Sequence, residues 1–450
     1  MIDLERCSAA EMCRATRADE ISVRDIVEHF LDRSALLEPA LRAWVTIDRS
    51  GARLAADRLD ITPRARRGPL HGLPIGVKDL VDVAGQPTAA GFAPYAARVA
   101  ASDATMVERT RAAGGIILGK TVTTQFAYMD PPVTVNPWSA YATPGGSSSG
   151  SAAAVSAGMV PAAIGSQTGG SVLRPAAYCG VVGIKPTYGR ISRHGILPLA
   201  WSLDHPGWIC RTVEDAALLL GAVAGEDPRD PESARVPCDE YLAGLPSGDR
   251  PNLVVLDDVA ALARDAARAS FEGCVDTLRR AGAAVSRGRF ASGAELVMSV
   301  HAVIMQSEVA AVHRDTFAAH KEDYAERLRA YIETGALIAA SDYARAYRLR
   351  ARIARETESL LAPGAVLALP TVSGPAPGRD TTGDPTFQAI FSLLGIPSIS
   401  IPSGLVDGRP VGLQLAGRHF GEASLLSVAA WCEREIPPIG PPPLGGILAA

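Results

Sequence analysis

The sequence predicts an α/β fold, with a mixed or largely parallel central β-sheet covered by helices. Short apolar runs typical of buried strands alternate with longer segments whose apolar residues recur at helical spacing, and this alternation favours strand–helix–strand units. Hydrophobic residues make up 47% and charged residues 20% of the 450 residues, which is enough apolar material for a large core. No segment of 20–50 residues repeats, so a solenoid or a propeller is excluded.

The first 60 residues predict helices. Ser8 and Glu11 form a capping-box pattern, in which the side chain of each residue accepts a hydrogen bond from the backbone N–H of the other. Ser22 is the predicted N-cap of a second helix, because apolar residues including Ile26 and Phe30 then share one helical face.

The later elements are predicted from apolar runs that are bounded by Gly, Pro and polar residues. In chain order they are strand and turn over Leu70–Val83, a helix over 101–113, a strand within Gly114–Thr121, a Gly/Ser/Ala-rich segment over 144–190, a polar Pro-rich surface excursion over 226–251, a strand at Leu253–Leu256, a helix over 260–281, long amphipathic helices from about 305 to 361, strands at Val366–Leu369 and Ile396–Ile401, and a helix near 422–434. We expect one domain, 1–450, made of a helical lead-in (1–65), a core (66–225), a variable excursion (226–360) and a return to the core sheet (361–450).

Charge and hydropathy exclude several classes of function. The 44 basic and 48 acidic residues give a net charge of −4, which argues against a basic face for nucleic acid. The longest proline-free apolar run, Ala216–Gly225, has ten residues and is too short to cross a bilayer. The N-terminus has no apolar stretch of the secretory type. We therefore expect a soluble cytoplasmic monomer or homodimer without a nucleic-acid or membrane partner.

The cysteines and histidines predict neither a disulfide framework nor a metal site. Seven cysteines are scattered from Cys7 to Cys432 without a CxxC pair, and the eight histidines include no HExxH. Disulfide-rich domains and structural metal sites both need clustered residues at short spacing. We therefore expect no metal and no cofactor.

Lysine is rare in this chain. Only four of the 44 basic residues are lysines, namely Lys78, Lys120, Lys185 and Lys321. A buried lysine, unlike an arginine, can lose its proton and act as a base. Three of the four lie between positions 78 and 185, so each is a candidate chemical group, although packing or hydrogen bonding would also explain them.

Two literal motif matches lack the surrounding structure that their chemistry needs, and the first of them is accidental. Gly114–Thr121 matches the phosphate-binding loop, but that loop needs a strand before its first glycine and a helix after its threonine. Gly146–Gly150 matches GxSxG, with Ser148 as nucleophile and a late histidine such as His419 as its base. That arrangement needs a strand that runs directly into the serine, whereas Thr143–Gly146 has turn composition. The GxSxG esterase remains the best-defined rival among hydrolases.

A third constellation lies in the segment from Gly145 to Ser171. Two loops of small residues flank an Ala-rich apolar segment, and the N–H groups of Thr168–Ser171 are able to converge on one oxygen. A serine beside them needs a proton acceptor, and Lys78 has apolar neighbours that lower a lysine pKa. The alternative is a flexible linker with Lys78 paired to a carboxylate. The residues alone leave both interpretations open.

The run from Gly145 to Ser192 closely resembles the defining segment of the amidase signature family. The resemblance extends to GVKDL, GGIILGKT and NPWSAYATPGG upstream, and to SLDHPG, TVEDAALLL and LGIPSISIPSG…GRPVGLQLAG downstream. It spans nearly the whole chain and is weakest between about 226 and 360. The resemblance implies a mixed central sheet covered by helices and a hydrolase of amide bonds that needs no cofactor.

The resemblance also implies a Ser–Ser–Lys triad. Ser171 matches the family's nucleophile, Ser147 its bridging serine after a cis peptide, and Lys78 its base. The positions that match the oxyanion hole are Thr168, Gly169 and Gly170. Two departures are present, because Gln167 and Leu173 stand where the family usually has Asp and Arg. They argue against close kinship with the amidase component of tRNA-dependent amidotransferases.

The substrate is expected to be a small, neutral and fairly apolar amide, carbamate or ester. The uncharged residues expected to approach the nucleophile are Phe126, Tyr128, Met129, Ile196, Leu197 and Trp208. Core packing is the alternative role for each of them. Two other functions remain open, an amidase component that acts only in an amidotransferase complex and a non-catalytic scaffold component.

Overall fold

The computed structural model describes residues 3–448 except Gly244 and residues 246–249. Within these residues the strands are β1 Trp44–Ile47, β2 Pro74–Lys78, β3 Ile116–Thr121, β4 Ala162–Gln167, β5 Val182–Lys185, β6 His205–Cys210, β7 Asn252–Leu256, β8 Ala284–Gly288, β9 Ala365–Pro370, β10 Ser398–Val406 and β11 Arg409–Ala416. The helices are α1 Ala9–Ala18, α2 Val23–Leu41, α3 Arg49–Asp60, α4 Thr105–Ala112, α5 Ser149–Ser156, α6 Leu173–Cys179, α7 Val213–Val223, α8 Asp257–Ala260, α9 Asp265–Ala281, α10 Ala294–His320, α11 Glu326–Gly335, α12 Ala340–Leu360, α13 Thr386–Leu394, α14 Glu422–Glu435 and α15 Gly445–Leu448. Short 3₁₀ helices cover Arg64–Arg66, Ala93–Tyr95, Gln125–Ala127 and Lys321–Asp323.

All the described strands belong to one sheet, in the order β1-β3-β2-β4-β6-β5-β10-β11-β9-β7-β8. The strands β3, β2 and β4 are parallel, as are β9, β7 and β8, and antiparallel pairs join these two groups through β6, β5, β10 and β11. The predicted α/β fold with a mixed central sheet is therefore confirmed.

The N-terminal helices begin where their capping residues predict. Glu11 donates its backbone N–H to Ser8 Oγ at 3.1 Å, and Ser8 returns its own N–H to Glu11 Oε2 at 2.8 Å. Ser22 caps α2 in the same way through the N–H of Asp25 at 3.0 Å. Local hydrogen-bonding chemistry fixes these boundaries, which is why the sequence locates them correctly.

The sequence did not predict several strands individually. β6 lies in the centre of the sheet and pairs with both β4 and β5, although it contains Pro206 and Gly207. Proline and glycine normally interrupt a strand, so local pattern gives no signal there. The predicted helix over 260–281 is interrupted before Asp265, and the helices predicted from 305 begin earlier, at Ala294.

One helix passes the length and composition test for a membrane span. Among the described residues this is Ala294–Asp323, in which an 18-residue window has a mean hydropathy of 1.3 and is 44% buried inside the protein. In the fold α10 packs against α11, α12 and α13, and its buried side chains include the polar His301 and Glu308. This is the environment of a core helix, and its polar residues explain why it contains no long unbroken apolar run.

The Walker-like string lies in strand and not in a phosphate-binding loop. Lys120 is buried within β3 and its Nζ lies 2.9 Å from Asp79 Oδ1. The same amine donates to Thr88 Oγ1 and Pro87 O at 3.0 Å. No helix follows Thr121 directly. Lys120 therefore neutralises a buried carboxylate, in agreement with the structural interpretation of this motif.

The carboxyl ends of β2 and β4 position the chemistry-bearing residues. These strands are parallel neighbours with Val77 opposite Ile164, so Lys78 and Ser166 come to the same edge of the sheet. The loop that follows β3 leads to α5 and the loop that follows β4 leads to α6. These two helices pack against each other, α5 against β4 and α6 against β5. The first turn of α5 needs glycine at position 150, because a Cβ on Gly150 would lie 2.2 Å from Ala43 O.

Replacement of Gly150 by alanine is expected to lower the thermal unfolding midpoint. The added methyl group would meet two backbone atoms, Ala43 O at 2.2 Å and Val122 N at 2.4 Å, and such overpacking costs roughly 1–3 kcal/mol or more. Gly273→Ala is the matched control, since Gly273 lies exposed inside α9 with nothing within 4 Å of an added Cβ. The control should raise stability by about 0.5–1 kcal/mol. Differential scanning calorimetry of both variants is the measurement, and equal midpoints would contradict the packing argument.

Candidate active site

Lys78 lies at the end of β2 with no solvent exposure. Its Nζ is 2.7 Å from Ser147 Oγ and 2.9 Å from Ser166 Oγ, with Ser166 O at 3.4 Å. Among the described residues no carboxylate lies within ion-pair distance of this amine. Burial lowers the pKa of Lys78 well below the usual lysine value, and the negative charge of Asp204 only partly opposes this effect. The amine is therefore suited to accept a proton from a hydroxyl.

Ser147 follows the peptide bond Gly146–Ser147, which is cis, as the family resemblance implied. The side chain of Arg174 holds this peptide in place, because its Nη2 donates to Gly146 O at 2.7 Å. Arg174 is itself buried and also donates to Gly383 O at 2.9 Å. The guanidinium thereby fixes the backbone that presents Ser147 to Lys78.

Ser148 does not have the geometry of an elbow nucleophile. It lies in a loop at the start of α5, with no strand that leads into it. Its hydroxyl is buried and donates to Ser166 O at 3.3 Å. His419, the base considered for this alternative, lines a different cavity with Glu358 and Arg418. The GxSxG match is therefore structural.

Four consecutive backbone N–H groups lie free between β4 and α6. The side-chain oxygen of Gln167 accepts from the N–H groups of Val172 and Leu173, both at 3.0 Å, and so caps the first turn of α6. Within the described part of the chain, the N–H groups of residues 168–171 have no acceptor. We call residues 168–171 the oxyanion loop, because unpaired amides in series are the donors that stabilise a developing oxyanion.

Neutral side chains hold the oxyanion loop from the side of α13. Gln167 Nε2 donates to Ser392 Oγ at 3.1 Å, and Ser392 in turn donates to Gly169 O at 2.7 Å. Gln388 lies so close that a Cβ on Gly170 would come within 2.4 Å of its Oε1. Gln167 stands where the family usually has Asp, and its hydrogen-bond network with Ser392 is uncharged. Leu173 stands where the family usually has Arg, and its side chain is fully buried.

Thr168 is anchored by the partly buried Asp204 and the buried His301. Its hydroxyl donates to Asp204 Oδ1 at 2.6 Å, and its carbonyl oxygen lies 3.2 Å from His301 Nε2. Burial raises the pKa of Asp204 and lowers the pKa of His301 to about 4. His301 is thus neutral at physiological pH and able to donate its N–H to the carbonyl. These contacts fix Thr168 at the start of the oxyanion loop.

Ser171 occupies the end of the oxyanion loop and is 6% exposed. Its carbonyl accepts from the N–H of Ser148 at 3.3 Å, which joins the two loops of small residues. Among the described residues its hydroxyl has no hydrogen-bond partner. The structure therefore brings Lys78, Ser147 and the oxyanion loop to one place and leaves the Ser171 hydroxyl uncommitted.

A cavity of about 250 Å³ opens beside Ser166 and Thr168. Ile196 and Leu197, both predicted as substrate contacts, line it together with residues that the sequence did not single out. These further residues are Leu80, Ala127, Arg193, His194, Pro198, Leu199, Trp201, Asp204, His205, Pro206, Arg229, Asp230 and Pro231. The expected wall without charges is wrong. The two arginines are nevertheless paired, since Arg193 bridges Asp230 at 3.2 Å and Arg229 bridges Asp227 at 3.0 Å. Asp204 has no ion-pair partner among the described residues and accepts hydrogen bonds from Thr168 and from two backbone N–H groups.

Four of the six predicted substrate contacts lie elsewhere. Trp208 is fully buried in the middle of β6, where it belongs to the main core. Phe126 packs in an aromatic cluster and lies 4.8 Å from Phe92 between ring centroids. Tyr128 packs on Tyr331 at 4.7 Å, and Met129 is half-buried against the same core region. Bulk and proximity in sequence suggested these residues, but apolar side chains more often fill the core.

Sequence reasoning missed several residues that shape this site. Ser166 lies inside the Gly/Ser/Ala-rich segment 144–190. Its hydroxyl, in the same segment as the candidate serines, was a signal from which a second partner of Lys78 could have been predicted. Asp204, His301, Gln388 and Ser392 carry no local pattern that separates them from other polar residues. They reach the oxyanion loop only because distant parts of the chain pack together.

Comparisons with known proteins show the family to which this chain belongs. The profile of the family described as Amidase matches residues 25–426. A glutamyl-tRNA(Gln) amidotransferase subunit from Anaeromyxobacter sp. (strain K) is 37% identical, over 97% of this chain and 99% of that protein. The peptide amidase of Stenotrophomonas maltophilia superposes with a TM-score of 0.86 at 30% identity, over 97% and 98% of the two chains. A bacterial aryl acylamidase of the amidase signature family gives a TM-score of 0.86 at 25% identity, over 95% and 96%. This chain therefore belongs to the amidase signature family of hydrolases.

Proposed function

We propose that this protein is a self-sufficient cytoplasmic amidase, which cleaves the C–N bond of a small, neutral and largely apolar substrate through an acyl-enzyme on Ser171. The observation that carries the proposal is the 2.7 Å hydrogen bond between buried Lys78 and Ser147, beside a loop with four free amides. Lysine without a carboxylate partner, a bridging hydroxyl and aligned N–H groups are the parts that acyl transfer needs. The proposed reaction uses no cofactor or metal.

The first step is a proton relay that activates the nucleophile. Neutral Lys78 accepts the proton of the Ser147 hydroxyl, and Ser147 takes the proton of Ser171 as Ser171 Oγ attacks the substrate carbonyl carbon. The second hydroxyl on Lys78, that of Ser166 at 2.9 Å, keeps the amine oriented. Because the amine is neutral at the start, the relay separates no charge before the attack.

The tetrahedral intermediate carries its negative charge on the former carbonyl oxygen. The N–H groups of residues 168–171 donate to this oxygen, and their orientation is set before substrate binds by Gln167, Ser392 and His301. Fixed donors of this kind lower the barrier, because no reorganisation is needed as charge develops.

The relay then runs in reverse. Ser147 returns a proton to the leaving nitrogen while Lys78 re-protonates Ser147, the C–N bond breaks, and the amine departs. A water molecule attacks the acyl-enzyme through the same groups and releases the acid. A carbamate or an ester presents the same carbonyl to Ser171, so we propose carbamate and ester cleavage as further activities of the same site.

The cavity supports a neutral substrate. Its wall is mainly apolar, with Leu80, Ile196, Leu197 and Leu199 among its lining residues. The arginines at its rim already have acidic partners. Such a pocket contributes affinity through burial of apolar surface, and its arginines are not free to bind a substrate carboxylate.

A second candidate function is the amidase component of an amidotransferase complex. It is favoured by the relatives named as glutamyl-tRNA(Gln) amidotransferase subunits, which match almost the full chain. Against it stands the neutral Gln167 network, where an Asp and an Arg were expected. Amide hydrolysis by the purified chain alone distinguishes the two, since the component of a complex would need its ammonia-accepting partners.

Ser171 is expected to be the residue that a fluorophosphonate labels. Its hydroxyl is uncommitted and lies at the end of four free amides, whereas the Ser148 hydroxyl is bound to Ser166 O. Peptide mass spectrometry should find one modified peptide, which is lost in Ser171→Ala and kept in Ser148→Ala. Label on Ser148 would support the GxSxG esterase instead.

Lys78→Arg is expected to lose activity as completely as Lys78→Ala, by on the order of 10³-fold in kcat. An arginine keeps its proton at working pH and cannot start the relay. Lys321→Arg, at a half-exposed lysine paired with Glu333, is the control and should retain full activity.

The pH profile gives an independent check of the same role. Burial lowers the pKa of Lys78, so wild-type kcat/KM should rise with pH on a limb below the range of a free lysine, as the protonated and inactive form disappears. Near-normal turnover by Lys78→Arg would rule out the relay.

Neutral anilides, alkyl amides and aryl carbamates are expected to be turned over with higher kcat/KM than glutamine, asparagine or charged amides. The reason is the mainly apolar cavity, whose arginines are already paired with acidic residues. The panel should be run on the purified protein, with Ser171→Ala as the blank for background hydrolysis. A preference for free amino-acid amides would contradict the proposed substrate class and favour the amidotransferase function.

A further inference from the structure

Trp201 is the one large aromatic side chain in the cavity lining of the described chain, and it is 50% exposed. It lies in a turn, residues 201–203, that follows the apolar stretch Ile196–Leu199. We call this segment the Trp201 turn. A half-exposed indole has a large apolar face in contact with water, so a ligand that covers it gains free energy.

The backbone of this turn is held from the side of Tyr188 and Arg193. Tyr188 Oη donates to Trp201 O at 2.6 Å, and Arg193 Nη1 donates to the same oxygen. The Arg193 guanidinium also lies over the Tyr188 ring at 4.8 Å and bridges Asp230. Two donors that are themselves fixed therefore meet on one carbonyl group.

Glu308 of α10 holds the turn from the other side. It accepts the N–H of Ser202 at 2.9 Å on one carboxylate oxygen and the Ser202 hydroxyl at 2.7 Å on the other. Tyr343 and Tyr347 of α12 both donate to Glu308 at 2.9 Å, which fixes the carboxylate in turn. The anchor is buried and belongs to the variable region between 226 and 360.

None of these bonds uses the indole side chain. They fix backbone atoms and the Ser202 side chain, so they hold the turn rigid and leave the Trp201 ring beside the cavity. A turn whose backbone is already fixed loses little entropy when a ligand binds, and an exposed indole favours planar groups that stack over saturated groups of equal size.

We propose that the Trp201 turn is an aryl-recognition platform, on which the indole of Trp201 stacks against an aromatic group of the substrate while Glu308 holds the turn in place. The inference rests on the proposed amidase function and narrows its substrate class to aryl amides or aryl carbamates. Trp201 is then a specificity-determining residue, and Glu308 is a positioning residue that does not touch the substrate.

The test compares phenyl substrates with cyclohexyl substrates of the same size. Benzamide is paired with cyclohexanecarboxamide, and acetanilide with N-cyclohexylacetamide, so that both sides of the scissile bond are sampled. The ratio of kcat/KM for phenyl over cyclohexyl is measured in wild type, Trp201→Phe and Trp201→Leu. Intrinsic differences in reactivity cancel when the ratio of a variant is divided by that of the wild type.

For at least one pair, Trp201→Leu is expected to lower the ratio by about 3- to 10-fold, while Trp201→Phe stays within about twofold of wild type because it keeps an aromatic face. Glu308→Gln should lower the same ratio at least twofold without removing activity, since an amide offers one acceptor oxygen where the carboxylate offers two. An unchanged ratio in Trp201→Leu for both pairs would overturn the platform. An unchanged ratio in Glu308→Gln would overturn the role of the anchor.

A binding experiment separates this inference from the proposed function. Benzamide and cyclohexanecarboxamide are titrated into Ser171→Ala and into Ser171→Ala/Trp201→Leu by calorimetry, which needs no turnover. Tighter binding of benzamide that is lost with Trp201 would support the platform even if wild type hydrolysed no amide, a result that would contradict only the amidase proposal. Equal binding of both compounds to Ser171→Ala would overturn the platform.

Discussion

The structure depends on a buried lysine that is surrounded by hydroxyl groups and has no carboxylate beside it. Charged Lys78 would need a counter-ion at this depth, and the described residues offer only the oxygens of Ser147 and Ser166 within hydrogen-bond distance. Lys120, on the neighbouring strand, shows the contrast, because Asp79 lies 2.9 Å from its amine. Lys78 and Lys120 thus differ in their partners, and in the proposed mechanism Lys78 acts as a base whereas Lys120 is a structural cation.

The loop that follows β4 is organised around the same need to avoid buried charge. Gln167 caps α6 with a neutral amide, and Ser392 passes the hydrogen bond on to Gly169. Gln167 accepts hydrogen bonds from the N–H groups of Val172 and Leu173. The N–H groups of residues 168–171, which precede them, have no acceptor among the described residues. The hydrogen bonds of Gln167 and Ser392 hold the loop rigid, so its backbone N–H groups can stay unpaired without making the loop flexible. The replacement of an expected ion pair by Gln167 and Leu173 is therefore compatible with an intact oxyanion loop.

The variable region contacts both the oxyanion loop and the wall of the cavity. His301 and Glu308 are seven residues apart on α10, two turns of a helix, so they lie on one face. One reaches the carbonyl of Thr168 and the other the backbone of Ser202. A single helix is thereby coupled to the oxyanion loop and to the wall of the cavity. A change in the packing of this helix would alter both, although it lies far from the nucleophile in sequence.

The sequence by itself determined what depends on local chemistry and on a long motif. The caps at Ser8 and Ser22 and the alternation of strands and helices follow from residues near one another in the chain. The assignment of Lys78, Ser147 and Ser171 follows from sequence segments that resemble those of one family. Only the tertiary structure decided which side chains line the cavity. Trp208 and Trp201 are seven residues apart and equally apolar, yet one fills the core of β6 and the other faces the cavity. The difference arises because the pairing of β6 with β4 and β5 encloses Trp208, whereas anchors from distant segments hold Trp201 at the rim, and neither contact leaves a trace in the local sequence.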